Sequence, residues 1–306
     1  IDYLFRILKA IDLNRFAIIV GVPGLNRTTL EQIQIPLPPL PEQERIVHIL
    51  QQADKLKHLR DESFSIVQEL FQNLFLEMFG DPIFNPKNLP LVQLKEICTK
   101  VTDGTHQPPE WSDEGIPFLF VSNIQNGQIN KETDKYITEE CWRDLTKNIP
   151  IEVGDVLYTT VGSYGNAALV NDEKPICFQR HIAQVKPNHN LVIPVFLWAM
   201  MNSPGVRTQA DRRVRGVAQK TLNLDELKSF KVLLPSLSQQ KRFADFSTLI
   251  LKTIDSINYS KEILDKTDKE IIAQAFCGEL TSNWRQENKT LLKQSADKAA
   301  LGRAGR

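Results

Sequence analysis

Apolar residues recur at steps of three and four over two long stretches of this chain, and in alternation or short blocks between them. The first stretch carries Ile46, Ile49, Ala53, Leu56, Val67, Leu70 and Leu74; the second carries Phe243, Phe246, Ile250, Ile257, Leu264 and Ile271. Such spacing predicts amphipathic helices with a heptad seam. Leu50, Leu59, Phe64, Phe71 and Phe75, then Leu249, Ile254, Ile263 and Ile272, widen each seam beyond a two-stranded stripe. Polar residues at Arg60, Ser63, Thr253, Ser260 and Thr267 interrupt it, as groups that fix the register of paired helices do. The helices are placed over residues 41–79 and 237–278, each about 35 residues or more, roughly 50 Å at 1.5 Å per residue. Charges interrupt both throughout, so neither is a membrane span.

The two stretches open alike. Ile33–Leu50 reads IQIPLPPLPEQERIVHIL and Phe230–Ile250 reads FKVLLPSLSQQKRFADFSTLI. Leu25-Asn26 and Leu222-Asn223 lie at equal distances ahead of Leu40 and Leu237, so the repeat holds without a gap. In each copy a short strand is expected, Ile33–Ile35 or Phe230–Val232. A proline corner then ends it and starts the helix. Glu42 and Glu44 place carboxylates in the first turn, where the helix dipole favours them. Ile1–Leu4 matches Pro194–Leu197, and a glycine-containing segment, Gly21 to Gly24 or Gly216, precedes each Leu-Asn pair.

Between the helices, residues 80–236 read as a strand-rich, mixed α/β domain. Gly80-Asp81-Pro82 and Asn85-Pro86 break the first helix. Strands are expected at Leu91–Leu94 (or a helix entry), Ile116–Val121, Val156–Thr160, Ala167–Val170 and Ile182–Val185, with a hairpin turn at Asn126-Gly127. Val101–Pro109 and Val161–Asn166 are loops by composition.

Two features carry a resemblance. LPPLPEQERIV opens a long helix and is echoed after a globular domain. That domain contains, in order, DGTH, GIPFL, GDVLYTTVGSYG and FQRHIA. This arrangement resembles the specificity subunit of type I restriction-modification systems, over almost the whole chain up to about Gln286. The resemblance implies an α/β target-recognition domain plus two long helices pairing as an antiparallel coiled coil. Residues 1–40 would be the C-terminal remnant of a first target-recognition domain, 41–79 the first conserved helix, 80–236 a complete recognition domain, 237–278 the second helix and 279–306 a tail. It implies no active site in this chain. The partners would be double-stranded DNA, modification methyltransferase subunits and a restriction motor subunit. S-adenosylmethionine would sit on the methyltransferase and ATP on the motor. A split DNA site would be read in two halves, with the helix pair setting the gap between them. With one whole module plus one extra helix, two copies of the chain could dimerise and read a symmetric site. The other reading is a coiled-coil interaction adaptor, or a remnant that no longer reads DNA.

Composition narrows this further. The 306 residues carry 37 Lys and Arg against 37 Asp and Glu. A neutral chain releases few counterions, so DNA binding in isolation is expected to be weak. The four cysteines, Cys98, Cys141, Cys177 and Cys277, have neither metal-ligand nor disulfide-framework spacing. No signal-peptide pattern is read, and a cytoplasmic protein is expected. The chain begins at Ile1 and not at a methionine, which leaves its natural start open. There is no GxxxxGK[ST] loop, no GxGxxG opening a βαβ unit and no acidic-Pro-Pro-aromatic methyltransferase motif. Glu226-Leu227-Lys228 resembles the end of a nuclease site, but it lacks an upstream acidic partner and reads as a surface segment. Ser163 and His181 have no triad spacing.

Candidate DNA-binding residues fall into four groups. Asp103, Thr105, His106 and Gln107 offer donors and acceptors for base edges or phosphates; the alternative is a plain Asp-Gly turn with His106 packed. Gly162, Ser163 and Tyr164, with Gly165, form a turn whose backbone N–H groups suit a phosphate, or else a tight hairpin. Arg180, beside His181, suits a phosphate or guanine, or else a structural ion pair. Arg207, Arg212, Arg213, Arg215 and Lys220, opposed only by Asp211, form a basic cluster in a loop-like stretch, the footprint of phosphate binding or a solvated charged face. Near the end, Gly278–Thr281 and Trp284-Arg285 complete the resemblance. Trp284 docks on the helix pair or is loosely held, and fraying is expected beyond Asn288.

Overall fold

A computed structural model of the chain describes residues 1–11, 13–16, 24–106, 109–216 and 219–304. The chain forms two compact units, residues 1–66 with 253–306, and residues 67–252. The elements run α1 (Asp2–Ala10), α2 (Arg27–Glu31), α3 (Leu40–Phe79), β1 (Leu91–Gln93), β2 (Cys98–Asp103), β3 (Trp111–Ser112), β4 (Ile116–Leu119) and β5 (Ile124–Gln125). Next come β6 (Gln128–Ile129), β7 (Tyr136–Ile137), α4 (Glu139–Thr146), β8 (Val156–Thr159), β9 (Ala167–Leu169), β10 (Cys177–Phe178) and β11 (Ile182–Pro187). The chain closes with α5 (Pro194–Met201), α6 (Pro204–Arg213), α7 (Leu224–Lys228), β12 (Lys231–Leu233), α8 (Leu237–Cys277), α9 (Ser282–Glu287) and α10 (Lys289–Ala304).

The repeat is visible in how the long helices start and stop. In α3 the Gln43 amide donates to Pro38 O at 2.8 Å, and in α8 the Gln240 amide donates to Pro235 O at 2.9 Å. The same side chain thus ties the same helical turn to the same corner. Ser236 and Gln239 add a reciprocal cap at α8, the Ser-x-x-Gln form of a capping box. Gly80 and Gly278 follow the two helices with φ of +78° and +81°, the left-handed conformation that closes a helix and suits glycine.

The helices run antiparallel within each unit. In the first, Ile46 and Leu50 cluster with Ala275, Ile271 and Phe276, and Lys57 reaches Asp268 at 2.6 Å and Asp265 at 3.5 Å. In the second, Phe243 meets Phe71 and Phe75 with ring centroids 5.5 and 5.8 Å apart. The seam corrects the predicted one. Ile46 and Phe243 are buried, and Ile49, Val67, Leu74, Ile250, Ile257, Leu264 and Ile271 are half-buried. Leu56, Leu70 and Phe246, however, are 54%, 55% and 56% exposed. The inward positions at those turns lie one residue later, at Lys57, Phe71 and Ser247. Several seam positions are polar or small (Lys57, Arg60, Ser247, Asp268, Ala275), so counting apolar residues misplaces it.

Around the first unit's helices, α1 docks through Tyr3 and Ile7, and the Tyr3 hydroxyl donates to Pro36 O at 3.0 Å. Burial, then the Glu42 carboxylate, raises the Tyr3 pKa above the ordinary 10.0. Glu42 is buried rather than solvated in its first turn; it accepts from Thr281 and pairs with Arg285. GELT and the Trp-Arg phrase are therefore a fastening, and Trp284 is half-buried. The expected fraying beyond Asn288 gives way to α10. Its Lys, Leu, Gln and Ala residues are strong helix formers, a signal of propensity instead of apolar period.

The second unit holds the mixed α/β fold. Its main sheet has the order β2-β11-β8-β9, all antiparallel, beside a smaller sheet β10-β4-β7-β3 in which β10 and β4 are parallel. Asn126 and Gly127, with φ of +52° and +75°, make the expected hairpin turn between β5 and β6. One face of the main sheet packs on α5 and on the aromatic cluster of Phe71, Phe75, Phe79, Phe196, Trp198 and Phe243. The expected strand at Phe230–Val232 forms as β12 because β1 pairs with it. Ile33–Ile35 forms none; among the described residues no strand lies beside it. Gly21, in the corresponding glycine segment, lies outside the described residues. The basic stretch expected as a loop is mostly helix, because Ser203 caps α6 and Pro204 starts it.

Candidate nucleic-acid interface

The register of the main sheet decides which loops meet. Ala183 pairs with Asp103, Ile182 with Thr159, and Tyr158 with Ala167. The last residues of β2 and β8 and the first of β11 and β9 therefore share one end of the sheet. Four stretches issue there: the segment after Asp103, the β8–β9 turn, the Gln179–His181 corner and residues 219–223. Backbone hydrogen bonds stitch them together. Thr105 N donates to Phe178 O at 3.2 Å and Arg180 N to Thr105 O at 3.1 Å. Thr160 donates to His181 O through N at 2.9 Å and through Oγ1 at 3.0 Å. Gly162 N donates to Lys220 O at 2.9 Å, and Leu222 N to Thr160 O at 2.8 Å.

The glycine of DGTH has a definite task at this joint. A Cβ on Gly104 would lie 2.3 Å from Phe178 O and 2.6 Å from Gln179 O. Only the bare backbone lets the two chain segments approach so closely. Asp103 pairs with His106 Nε2 at 2.8 Å, so its carboxylate is already occupied and His106 stands exposed beside it. Gln107 lies outside the described residues.

In the glycine turn the expected free N–H groups are taken: Gly162 N by Lys220 O, and Gly165 N by Thr159 O. The turn closes on itself and offers the exposed Ser163 instead. Tyr164 is buried and presents no ring to a ligand. Of the basic residues, Arg207 pairs with Asp211 at 3.0 Å and lies over the Tyr164 ring. Arg213 is half-buried over Phe230 and reaches Glu226 at 3.5 Å. Both have a carboxylate and an aromatic ring as partners, although the Arg207 side chain is still 47% exposed, so local charge density overstates the unmatched cations. Arg180, Arg212, Arg215 and Lys220 are exposed, Arg215 with Glu226 at 3.4 Å.

The assembled end also includes groups that were not among the DNA-binding candidates: Gln179, His181, Asn166 and Gln219. The FQRHIA phrase contained the first two, but only Arg180 stood out by charge. Burial, and then the Arg180 charge, lower the His181 pKa below the ordinary 6.5. Near pH 7 its ring is neutral and offers one donor and one acceptor, as base edges require. Among the described residues no group of three or more His, Cys, Asp or Glu side chains is placed to hold a metal ion, and no helix is long and apolar enough to cross a membrane.

A family model described as the type I restriction modification DNA specificity domain matches residues 1–62 and 86–266. The specificity subunit of the type I restriction enzyme EcoBI of Escherichia coli is 28% identical, over 96% of this chain and 68% of its own length. That of EcoKI, from E. coli strain K12, is 23% identical over 92% of this chain and 65% of its own length. The chain spans about two thirds of the length of these curated relatives. The crystal structure of the S subunit of a type I restriction-modification system from M. genitalium aligns with a TM-score of 0.51 and 16% identity, over 90% of this chain and 72% of that one.

Proposed function

This chain belongs to the type I restriction modification DNA specificity family, and from that premise we propose that it reads a DNA sequence for a methyltransferase and carries no chemistry of its own. The observation that supports this most is the shared sheet end, where the β8–β9 turn, the Gln179–His181 corner and the segment after α6 present Ser163, Arg180, His181 and Lys220. Cations there suit phosphates, and neutral donors and acceptors suit base edges. Counterion release at so few cations gives weak binding alone and stronger binding once a partner encloses the duplex.

The long helices supply the partner surface in this reading. In the first unit Leu56, Leu59 and Ile66 stand exposed on α3, and Ile263 on α8; in the second, Leu70 stands on α3, and Phe246 and Leu249 on α8. Runs of exposed apolar residues at helical spacing suit the helices of a partner protein. Methyltransferase subunits are the proposed occupants, with a restriction motor joining the assembly. S-adenosylmethionine belongs to the former and ATP to the latter, and the complex works in the cytoplasm. A complex holding two copies of this chain presents two identical reading ends and selects a symmetric split site.

The test is co-purification with the methyltransferase encoded beside it, followed by mapping of adenine methylation in DNA from cells carrying both. Methylation at one defined motif supports the reading, and the motif's symmetry together with the mass of the complex reports the copy number. A stable complex that methylates nothing favours the adaptor reading instead. No complex at all removes the scaffold reading.

A further inference from the structure

A side-chain cluster pins the glycine turn from behind. Tyr164 is buried although Gly162 and Ser163, just before it, are exposed. Its hydroxyl donates to Asp211 Oδ1 at 2.8 Å. The Arg207 guanidinium lies 4.7 Å from the centre of its ring, donates through Nη1 to Tyr164 O at 2.9 Å, and donates through Nε to the same Asp211 oxygen at 3.0 Å. Lys220 Nζ stands 5.9 Å from the ring centre. Tyr164 thus joins the β8–β9 turn, α6 and the loop carrying Lys220. Gly165, at φ +86°, belongs to the same fit, because a Cβ there would lie 2.8 Å from Arg207 Nη1.

We propose that Tyr164, Arg207 and Asp211 are positioning residues of DNA recognition, fixing the Ser163 tip and the Lys220 loop in one geometry, and that Arg207 itself touches no phosphate. This rests on the DNA-reading function proposed above. Arg207 has its charge balanced by Asp211, its planar face on a ring and two N–H groups occupied within the fold. A cation in that state contributes to where the turn sits. It adds nothing to the count of phosphates neutralised.

The two roles separate in the salt dependence of binding. The slope of log K against log salt falls by roughly 0.9 for each duplex phosphate that is no longer neutralised, and the weakening is uniform across sequences. Removing a positioning residue leaves the slope and erodes discrimination. The experiment measures Kd of the methyltransferase-bound complex for its mapped target and a scrambled duplex, at several salt concentrations. Unaltered chain, Tyr164→Phe, Arg207→Lys and Arg207→Gln are compared. Tyr164→Phe keeps the ring and removes only the hydroxyl, so it tests the clamp without emptying the core. Lysine keeps the charge of Arg207 but cannot reproduce its fork or its stacking. The expected result is a loss of target preference of about tenfold in all three variants, the worth of one hydrogen bond to a charged group, with the slope unchanged. Arg207→Lys behaving as the unaltered chain while Arg207→Gln lowers the slope by about one would make Arg207 a phosphate ligand and overturn the proposal. Unchanged preference in Tyr164→Phe and Arg207→Lys would overturn it too, and would leave the DNA-reading function standing. An unaltered complex that binds both duplexes equally would overturn that function, and this proposal with it.

Discussion

Replacing Leu70 and Phe71 separately by alanine tests the register of the helix pair, because these sequence neighbours face opposite fates. Phe71 is buried, with its ring centroid 4.8 Å from Trp198 and 5.5 Å from Phe243. Truncating a packed phenylalanine costs about 3–5 kcal/mol in lost transfer energy and residual cavity. Leu70 is more than half exposed. Its alanine variant loses at most about 1 kcal/mol of side-chain burial and regains a few tenths in helix propensity. Phe243→Ala and Phe246→Ala make the same contrast on α8. Urea unfolding of the isolated chain, followed by far-ultraviolet circular dichroism and tryptophan fluorescence, reads the difference. At a slope of about 2 kcal/mol per molar urea, Phe71→Ala moves the midpoint by about 1.5 M or more, and Leu70→Ala by under about 0.5 M. Equal shifts for the two variants would refute the register, and with it the assignment of Leu70 and Phe246 to the surface.

Three further outcomes are expected. Gly104→Ala places a methyl group against the carbonyls of Phe178 and Gln179; the backbone must shift, at a cost of about 1–3 kcal/mol, and the variant should lose sequence-specific methylation while the complex still assembles, which gel filtration and methylation mapping together check. Burial opposes the Lys57 charge, but the hydrogen bond and attraction to Asp268, with Asp265, outweigh it and raise its pKa above 10.5. The stability this pair contributes, about 1 kcal/mol for largely covered partners, is therefore present below pH 10.5 and lost as pH climbs through the raised value, so the deficit of Asp268→Asn at pH 8 should shrink on the alkaline side in thermal melts. Burial pushes the Cys98 and Cys177 thiols up to about 12, and since the thiolate is the reactive form, a thiol reagent at pH 8 should label exposed Cys277 first, half-buried Cys98 slowly and buried Cys177 only after denaturant is added; prompt labelling of Cys177 in the folded chain would contradict its burial.

Legibility in the sequence followed the range of the interactions involved. The long helices were plain because their signals are local: a proline corner, a heptad period, a closing glycine. The Asn126-Gly127 turn was plain for the same reason. The seam itself was only partly legible. Residues such as Ile257, Leu264 and Ile271 were placed correctly by period, but Lys57, Ser247 and Asp268 face inward without an apolar signature. Phe246 looked better than Ser247 on hydrophobicity alone, and only the partner helix decides between them. The strand at Ile33–Ile35 failed for a related reason, since a strand needs a neighbour that a local pattern cannot supply.

The recognition end was legible in its parts and illegible as a whole. DGTH, the glycine turn, Arg180 and the basic stretch each stood out, yet nothing in their spacing says that Thr105 bonds to the Phe178–Arg180 corner or Gly162 to Lys220. Those hydrogen bonds exist because Ala183 pairs with Asp103 and Ile182 with Thr159. Register brings the strand ends level, and the level ends bring the loops together. Charge was misleading in the same way. Five basic residues between 207 and 220 look like one patch when read along the chain. Folding turns Arg207 onto Tyr164 and Arg213 onto Phe230, each with a carboxylate at hand, and leaves Arg212, Arg215 and Lys220 outward. A salt-dependence slope for this domain should therefore count the outward cations that have no carboxylate at hand, Arg212 and Lys220 here, and not the basic residues of the sequence, because a guanidinium already matched by Asp211 or Glu226, Arg215 included, displaces less counterion from DNA.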